Sequence, residues 1–137
     1  MSAVVKCSTK LKERRDLVSA LDKIGVPKDK VKVAAVGEYV EHLGYGGVKD
    51  KADVSISRSW HGGYGDISFQ RGADGNYVQI SDDLDGPKHD RAAGGKFSQL
   101  LTQYYAASAA DRALRQQGFT TKIERDGDIV RVRAQSF

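Results

Sequence analysis

Apolar and polar positions alternate along much of the chain, and the alternation changes period at a few clear points. Residues 3–9 read as a first strand. Over residues 12–24 the period lengthens: Leu17, Leu21 and Ile24 recur at helical spacing, with Val18 widening the stripe. Gly25 is placed to cap that helix and Pro27 to stop it. Residues 31–36 suggest a second strand, extending towards Val40, and the run HLGYGG at 42–47 reads as a glycine-rich connection.

Residues 52–58 alternate, with Ala52, Val54 and Ile56 on one side and Asp53, Ser55 and Ser57 on the other. Residues 67–70 and 77–80 do the same. The spacing predicts an antiparallel meander with Val54, Ile56, Ile67, Phe69, Val78 and Ile80 on its apolar face. Ser55, Ser57, Ser68, Gln70, Gln79 and Tyr77 are then expected on the other, solvent-facing side. Between the first two of these strands lies SRSWHGGYGD, residues 57–66, holding the only tryptophan. It reads as a turn around Gly62 and Gly63, with Trp60 and Tyr64 clasping the hairpin mouth.

Residues 82–90 read as a polar loop leading into a long helix over 96–117, with Phe97, Leu100, Leu101, Tyr104, Ala107 and Leu114 as its core face. Gly118 ends it. A hairpin follows. Asp126-Gly127 as its two-residue turn sets Ile123 against Val130 and Thr121 against Val132. The sum is a single α+β domain over residues 1–137, with a mostly antiparallel sheet and two helices on one face.

Composition fits that picture. The 137 residues suffice to bury a core without staples. The single cysteine, Cys7, excludes an internal disulfide and points to a reducing, cytoplasmic compartment. Cys7 itself is expected to be a buried thiol on the first strand. No apolar run is long enough to span a membrane, and the segment MSAVVKCSTKLKERR does not read as a secretory signal. The net charge of +4 is uneven. Nine Lys and Arg stand against four acidic residues over 1–32, seven against ten over 33–110, and six against four over 111–137. Lys10, Lys12, Arg14 and Arg15, with Lys122, Arg131 and Arg133, are therefore the candidates for contact with phosphate.

Motifs with specific chemistry are missing. Gly94-Gly95-Lys96 has neither end of a phosphate-binding loop, which leaves Lys96 at a helix start as a candidate anion contact. Cys7, His42, His61 and His89 are scattered singly, so no metal ligand set is expected. No nucleophile elbow or triad can be assigned, so no catalytic residue and no cofactor is expected.

The order of several short runs is similar to one family. They are STKLK at 8–12, GYGG at 44–47, ADV at 52–54, DISF at 66–69, the turn glycine before Tyr77, Phe97-x-x-x-Leu101-x-Gln103-x-Tyr105-Ala106, and QGF at 117–119. Together they resemble the hypothetical chloroplast open reading frame thirty-five family of cyanobacteria, plastids and cyanophages. The resemblance implies a small soluble protein of photosynthetic or phage source, located in plastid stroma or host cytosol, with no established reaction to carry over. The opening segment and the insert at 60–63 depart from the family's pattern.

The expected function is then a non-catalytic accessory protein acting through a protein partner. Trp60, His61, Tyr64 and Tyr77 are its candidate contact residues. Nucleic-acid binding is the alternative, and a small-molecule or anion-binding protein or enzyme the third.

Overall fold

The apolar stripe of residues 12–24 is one face of helix α1, Arg14–Ile24, with Leu17 and Leu21 fully buried. Its end is set by Gly25, whose φ of 109° is open only to glycine at little cost. The Gly25 and Val26 amides then turn back to the carbonyls of Asp22 and Leu21. The computed structural model describes residues 4–136. The other elements are β1 Val4–Ser8, β2 Val31–Val33, β3 Val40–Leu43, β4 Lys49–Ala52, β5 Val54–Ile56, β6 Ile67–Arg71, β7 Tyr77–Asp82, α2 Gly86–Ala93, α3 Phe97–Gln116, β8 Thr120–Asp126 and β9 Ile129–Gln135.

Five strands form one antiparallel sheet in the order β1-β7-β6-β5-β2. Helices α1 and α3 lie together on one face of it. Leu17, Leu21, Phe97, Leu100, Leu101 and Tyr104 meet Val54, Ile56, Ile67, Phe69 and Tyr77 there. This is the expected α+β arrangement. The two helices are joined by polar contacts as well. The Tyr105 hydroxyl accepts the amides of Lys12 and Glu13 at 3.0 and 2.9 Å, just ahead of α1. Asp16, buried on α1, accepts from Ser108 and Arg112 of α3 at 3.0 and 2.5 Å.

The other face of the sheet departs from expectation. It is not wet: the two-stranded ribbon β3–β4 covers it, and Ser55 and Ser68 are buried beneath. Ser68 Oγ lies 2.8 Å from Ser55 Oγ and 2.7 Å from His42 Nδ1 of the ribbon. The chain passes from ribbon to sheet at Asp53, which divides the single strand expected over 52–58 into β4 and β5. The Asp53 amide donates to Phe69 O, and its carboxylate accepts the Arg71 amide, both at 2.8 Å.

Tyr77 is also corrected. The register sets Phe69 opposite Gln79 and Arg71 opposite Tyr77, so Tyr77 shares the core face while Val78 and Ile80 point to the ribbon side. A one-residue offset exchanges the two faces of a strand. Both faces are covered here, so each accepts an apolar residue and the YVQI pattern has no unique reading. Tyr77 is fully buried, with the Arg71 guanidinium 4.1 Å above its ring and 2.9 Å from its hydroxyl. It is no contact residue.

Three further differences are local. Residues 82–90 contain the start of a helix, α2, which the acidic composition disguised. Cys7 is exposed, on an edge strand rather than in the core. The β8–β9 hairpin is a separate sheet packed on α3, anchored by Gln103, whose side chain bonds Asp128 O and the Val130 amide at 2.7 and 2.8 Å. Its turn is Gly127-Asp128, with Ile123 opposite Val132 and not Val130. Of these two turn residues only Gly127 has positive φ, 61°, which fits a turn with glycine first rather than one needing two such residues. The slip of two residues keeps every side chain on its expected face, so the apolar pattern did not detect it.

Two measurements check this layering. Tyr77→Ala is expected to cost about 3–5 kcal/mol in equilibrium denaturation, as for a large core aromatic. A loss within about 0.5 kcal/mol would place Tyr77 at the surface. Burial also holds the His42 pKa below its ordinary value, against the opposing fields of Asp66 and Asp50. The unfolded chain therefore binds the proton more readily than the folded one. Stability from neutral His42 is present above about pH 6.5 and is lost as pH falls through the lowered folded value. The denaturation midpoint is expected to fall between about pH 7 and about pH 5, and less so in His42→Gln.

Candidate functional site

The loop 57–66 leaves β5 and re-enters at β6, where Ile56 pairs with Ile67. Two buried carboxylates determine its path. Asp66 accepts the Arg58 amide at 2.9 Å and the Leu43 amide at 3.0 Å, tying the loop's two ends to the ribbon. Asp85, fully buried just ahead of α2, accepts the Tyr64 amide at 2.9 Å and the Gly65 amide at 3.1 Å. Pro87 in the first turn and the bond from the His89 amide to Asp85 O hold the start of α2 in place. The approach is so close that a Cβ on Gly63 would lie 2.4 Å from Asp85 Oδ2 and 2.5 Å from His61 Cδ2.

Trp60 turns inward. It is half-buried, packs on the core, and lies 6.0 Å from the rings of both Phe97 and His61. Tyr64 turns outward, 42% exposed, edge-on to Tyr45 at 5.3 Å and with Lys88 Nζ 4.1 Å over its ring. The expected clasp between Trp60 and Tyr64 is therefore replaced by two diverging contacts. The loop sorts its aromatics, one to the core and one to the surface.

His61 and His89, far apart in sequence, meet beneath this loop with ring centres 4.6 Å apart and edge to face. His61 Nε2 lies 3.0 Å from Gly65 O and 3.7 Å from Asp85 Oδ2. A carbonyl only accepts, so Nε2 carries the proton and Nδ1 the lone pair. Burial lowers the His61 pKa, with the Gly65 and Asp85 contacts opposing. Burial and the neighbouring His61 push His89 down to about 4, against Asp85, Asp90 and Asp82. Both rings are thus neutral near neutrality. His61 Nδ1 and His89 Nε2 are buried without a hydrogen-bond partner. One donor atom from each of His61, Asp85 and His89 lies within 4.8 Å of the other two. The expectation of scattered histidines fails at this point. The legible signal is Asp85 and His89 four apart across the Gly86-Pro87 helix start, in a segment whose acidic composition reads as a loop.

The surface above is apolar. Tyr45, Val48 and Val4 are exposed, and the Val48 and Val4 side chains meet over Gly44, 3.2 and 3.4 Å from where its Cβ would stand. Tyr64 extends this patch across Tyr45.

The basic candidates do not gather there. Lys10, Lys12 and Arg15 are exposed around the start of α1, while Arg14 is turned to Ala34 O and Asp53. On the outer face of β8–β9, Lys122 and Arg133 both face Glu124, and Arg131 pairs with Asp126. Lys96 is exposed at the start of α3, but the first amide of that helix is already taken by Asp90, at 2.9 Å. The protein's own carboxylate occupies the position expected for an anion.

Among the described residues no helix is long and apolar enough to cross a membrane. Comparisons with protein-family models, curated proteins and solved structures find no match. The family resemblance read from the sequence gains no support from them.

The close approach at Gly63 gives a direct check. Gly63→Ala forces a methyl into a buried carboxylate and is expected to cost about 2–3 kcal/mol. Gly62→Ala meets open space but keeps a φ of 68°, costing about 1 kcal/mol. Equilibrium denaturation giving the reverse order would contradict the Asp85 staple.

Proposed function

We propose that this protein is a non-catalytic accessory protein that docks a protein partner through the patch of Tyr45, Tyr64, Val48 and Val4. The observation that carries this reading is the edge-on pair of half-exposed tyrosines at 5.3 Å, Tyr64 standing on a loop fixed by two buried carboxylates. Tyrosines offer large contact area for little lost side-chain freedom, and a pre-ordered backbone lowers the cost of binding further. Lys88 and Arg58, which donates to Tyr64 O, line its edge and favour a partner with acidic groups around an apolar centre. The exposed free thiol of Cys7 suits a reducing, cytosol-like compartment. The nucleic-acid reading loses weight because Arg14, Lys122, Arg131 and Arg133 already face carboxylates.

The test places a photo-crosslinking phenylalanine analogue at Tyr45, and separately at Lys10, in the native host. One stoichiometric protein adduct is expected from position 45 and none from position 10. Tyr64→Ala is expected to weaken that partner's binding about 5- to 30-fold with an unchanged melting temperature. Adducts to nucleic acid, with affinity falling steeply with salt, would overturn the reading.

A further inference from the structure

We infer that His61, Asp85 and His89 form a binding site for a divalent transition-metal ion of the zinc type. The set is two imidazoles and one carboxylate, the donors such ions prefer; magnesium and calcium take oxygen almost exclusively. All three side chains are buried, and their donor atoms lie within 4.8 Å of one another. Tetrahedral zinc with bonds near 2.0–2.2 Å sets its ligands about 3.4 Å apart. Closure by about 1.4 Å at most, within reach of side-chain rotation, completes the set.

The unpartnered nitrogens point the same way. Asp85 is explained by the loop amides it accepts, but the histidines are not. A neutral imidazole with a buried nitrogen lacking any partner is a costlier filler than a leucine or phenylalanine. Here two such rings stand in contact, with the orphaned atoms His61 Nδ1 and His89 Nε2. An ion held by Nε2 of His61 takes the place of its bond to Gly65 O, the ring's proton moving to Nδ1; held by Nδ1, it leaves that bond as the support that orients a ligating histidine. Asp85 keeps its bonds to the Tyr64 and Gly65 amides, which hold a ligating carboxylate in place.

A groove reaches one ligand of the set, His89. It is open, of about 370 Å³, and is lined by Asp82, His89, Asp90 and Phe97 among others, and Asp82 Oδ2 is buried there without a partner. The two histidines and Asp85 leave the fourth position of a tetrahedral ion for water or for a further oxygen ligand from that side.

The probe is zinc chloride, added to full-length protein cleared of metal with a chelator and carrying Cys7→Ser to remove the exposed thiol. Calorimetry is expected to give one saturable site of micromolar affinity or tighter, and the melting temperature to rise with zinc but not with magnesium. His61→Gln and His89→Gln should each weaken binding at least about 100-fold, since even the outer partners of metal ligands are worth 10–100-fold. His42→Gln should leave it unchanged. If the ligand variants do not fold, long-range nitrogen–proton spectra of the Cys7→Ser protein decide. Zinc must shift the imidazole nitrogens of His61 and His89 and leave those of His42 in place. Absence of saturable binding, or binding that leaves both rings unmoved, overturns the proposal.

Discussion

The fold depends on a polar contact buried between two sheets. Ser68 has no solvent exposure, and its hydroxyl bridges Ser55 beside it and His42 of the ribbon above. Left uncovered, that face of β5 and β6 is satisfied by water; covered by apolar residues alone, the Ser55–Ser68 pair keeps one hydroxyl proton without an acceptor. A ribbon bearing one histidine at the right register supplies it. The ribbon's position then sets the rest. It brings the Leu43 amide to Asp66, which fixes the mouth of the 57–66 loop, and it brings Tyr45 beside Tyr64.

Asp66 and Asp85 perform related tasks on that loop. Each is buried, and each is surrounded by backbone N–H groups rather than by a full countercharge. A carboxylate stripped of water is tolerable only where several donors replace the hydration it loses. Two amides do this for each residue. Asp85 thereby links two features that are separate in the sequence. It holds the backbone that displays Tyr64 outward, and it stands beside the histidines that face inward. Displacing it alters the surface and the interior together.

Elements determined by local chemistry were legible in the chain. Gly25 closing α1, the helical stripe of α3 and the alternation of β5 and β6 all rest on neighbours a few residues apart. What escaped was decided by layers meeting. Tyr77 was assigned to the wrong face because alternation identifies two faces but not which of them is covered, and in this sheet both are. The strand at 52–58 was read through Asp53 because the corner is made by distant partners, Phe69 O and the Arg71 amide. Helix α2 was hidden by its charges, although Asp85, Pro87 and Gly94 are ordinary start and stop residues. Of the candidate site, Trp60, His61 and Tyr64 were found as a stretch. The histidine pair was not, since His61 and His89 share no element and no short spacing.

Packing and polar satisfaction pull apart at that pair. The aromatic cluster of Trp60, His61, His89 and Phe97 fills its space well, with ring centres between 4.6 and 6.0 Å. Packing alone accounts for the size of the rings and not for their nitrogens. An interior built only for stability favours groups that ask for no partner, and burying a group that does ask is a cost met elsewhere in the fold. Under the ribbon the Ser68 hydroxyl is bonded on both sides, while its partner His42 keeps a buried Nε2 without a bond. At the His61–His89 contact two such open nitrogens belong to rings that touch beside a carboxylate. Among the described residues three histidines keep a buried nitrogen without a partner, and of these only His61 and His89 share a carboxylate whose donor atom lies within 4.8 Å of theirs.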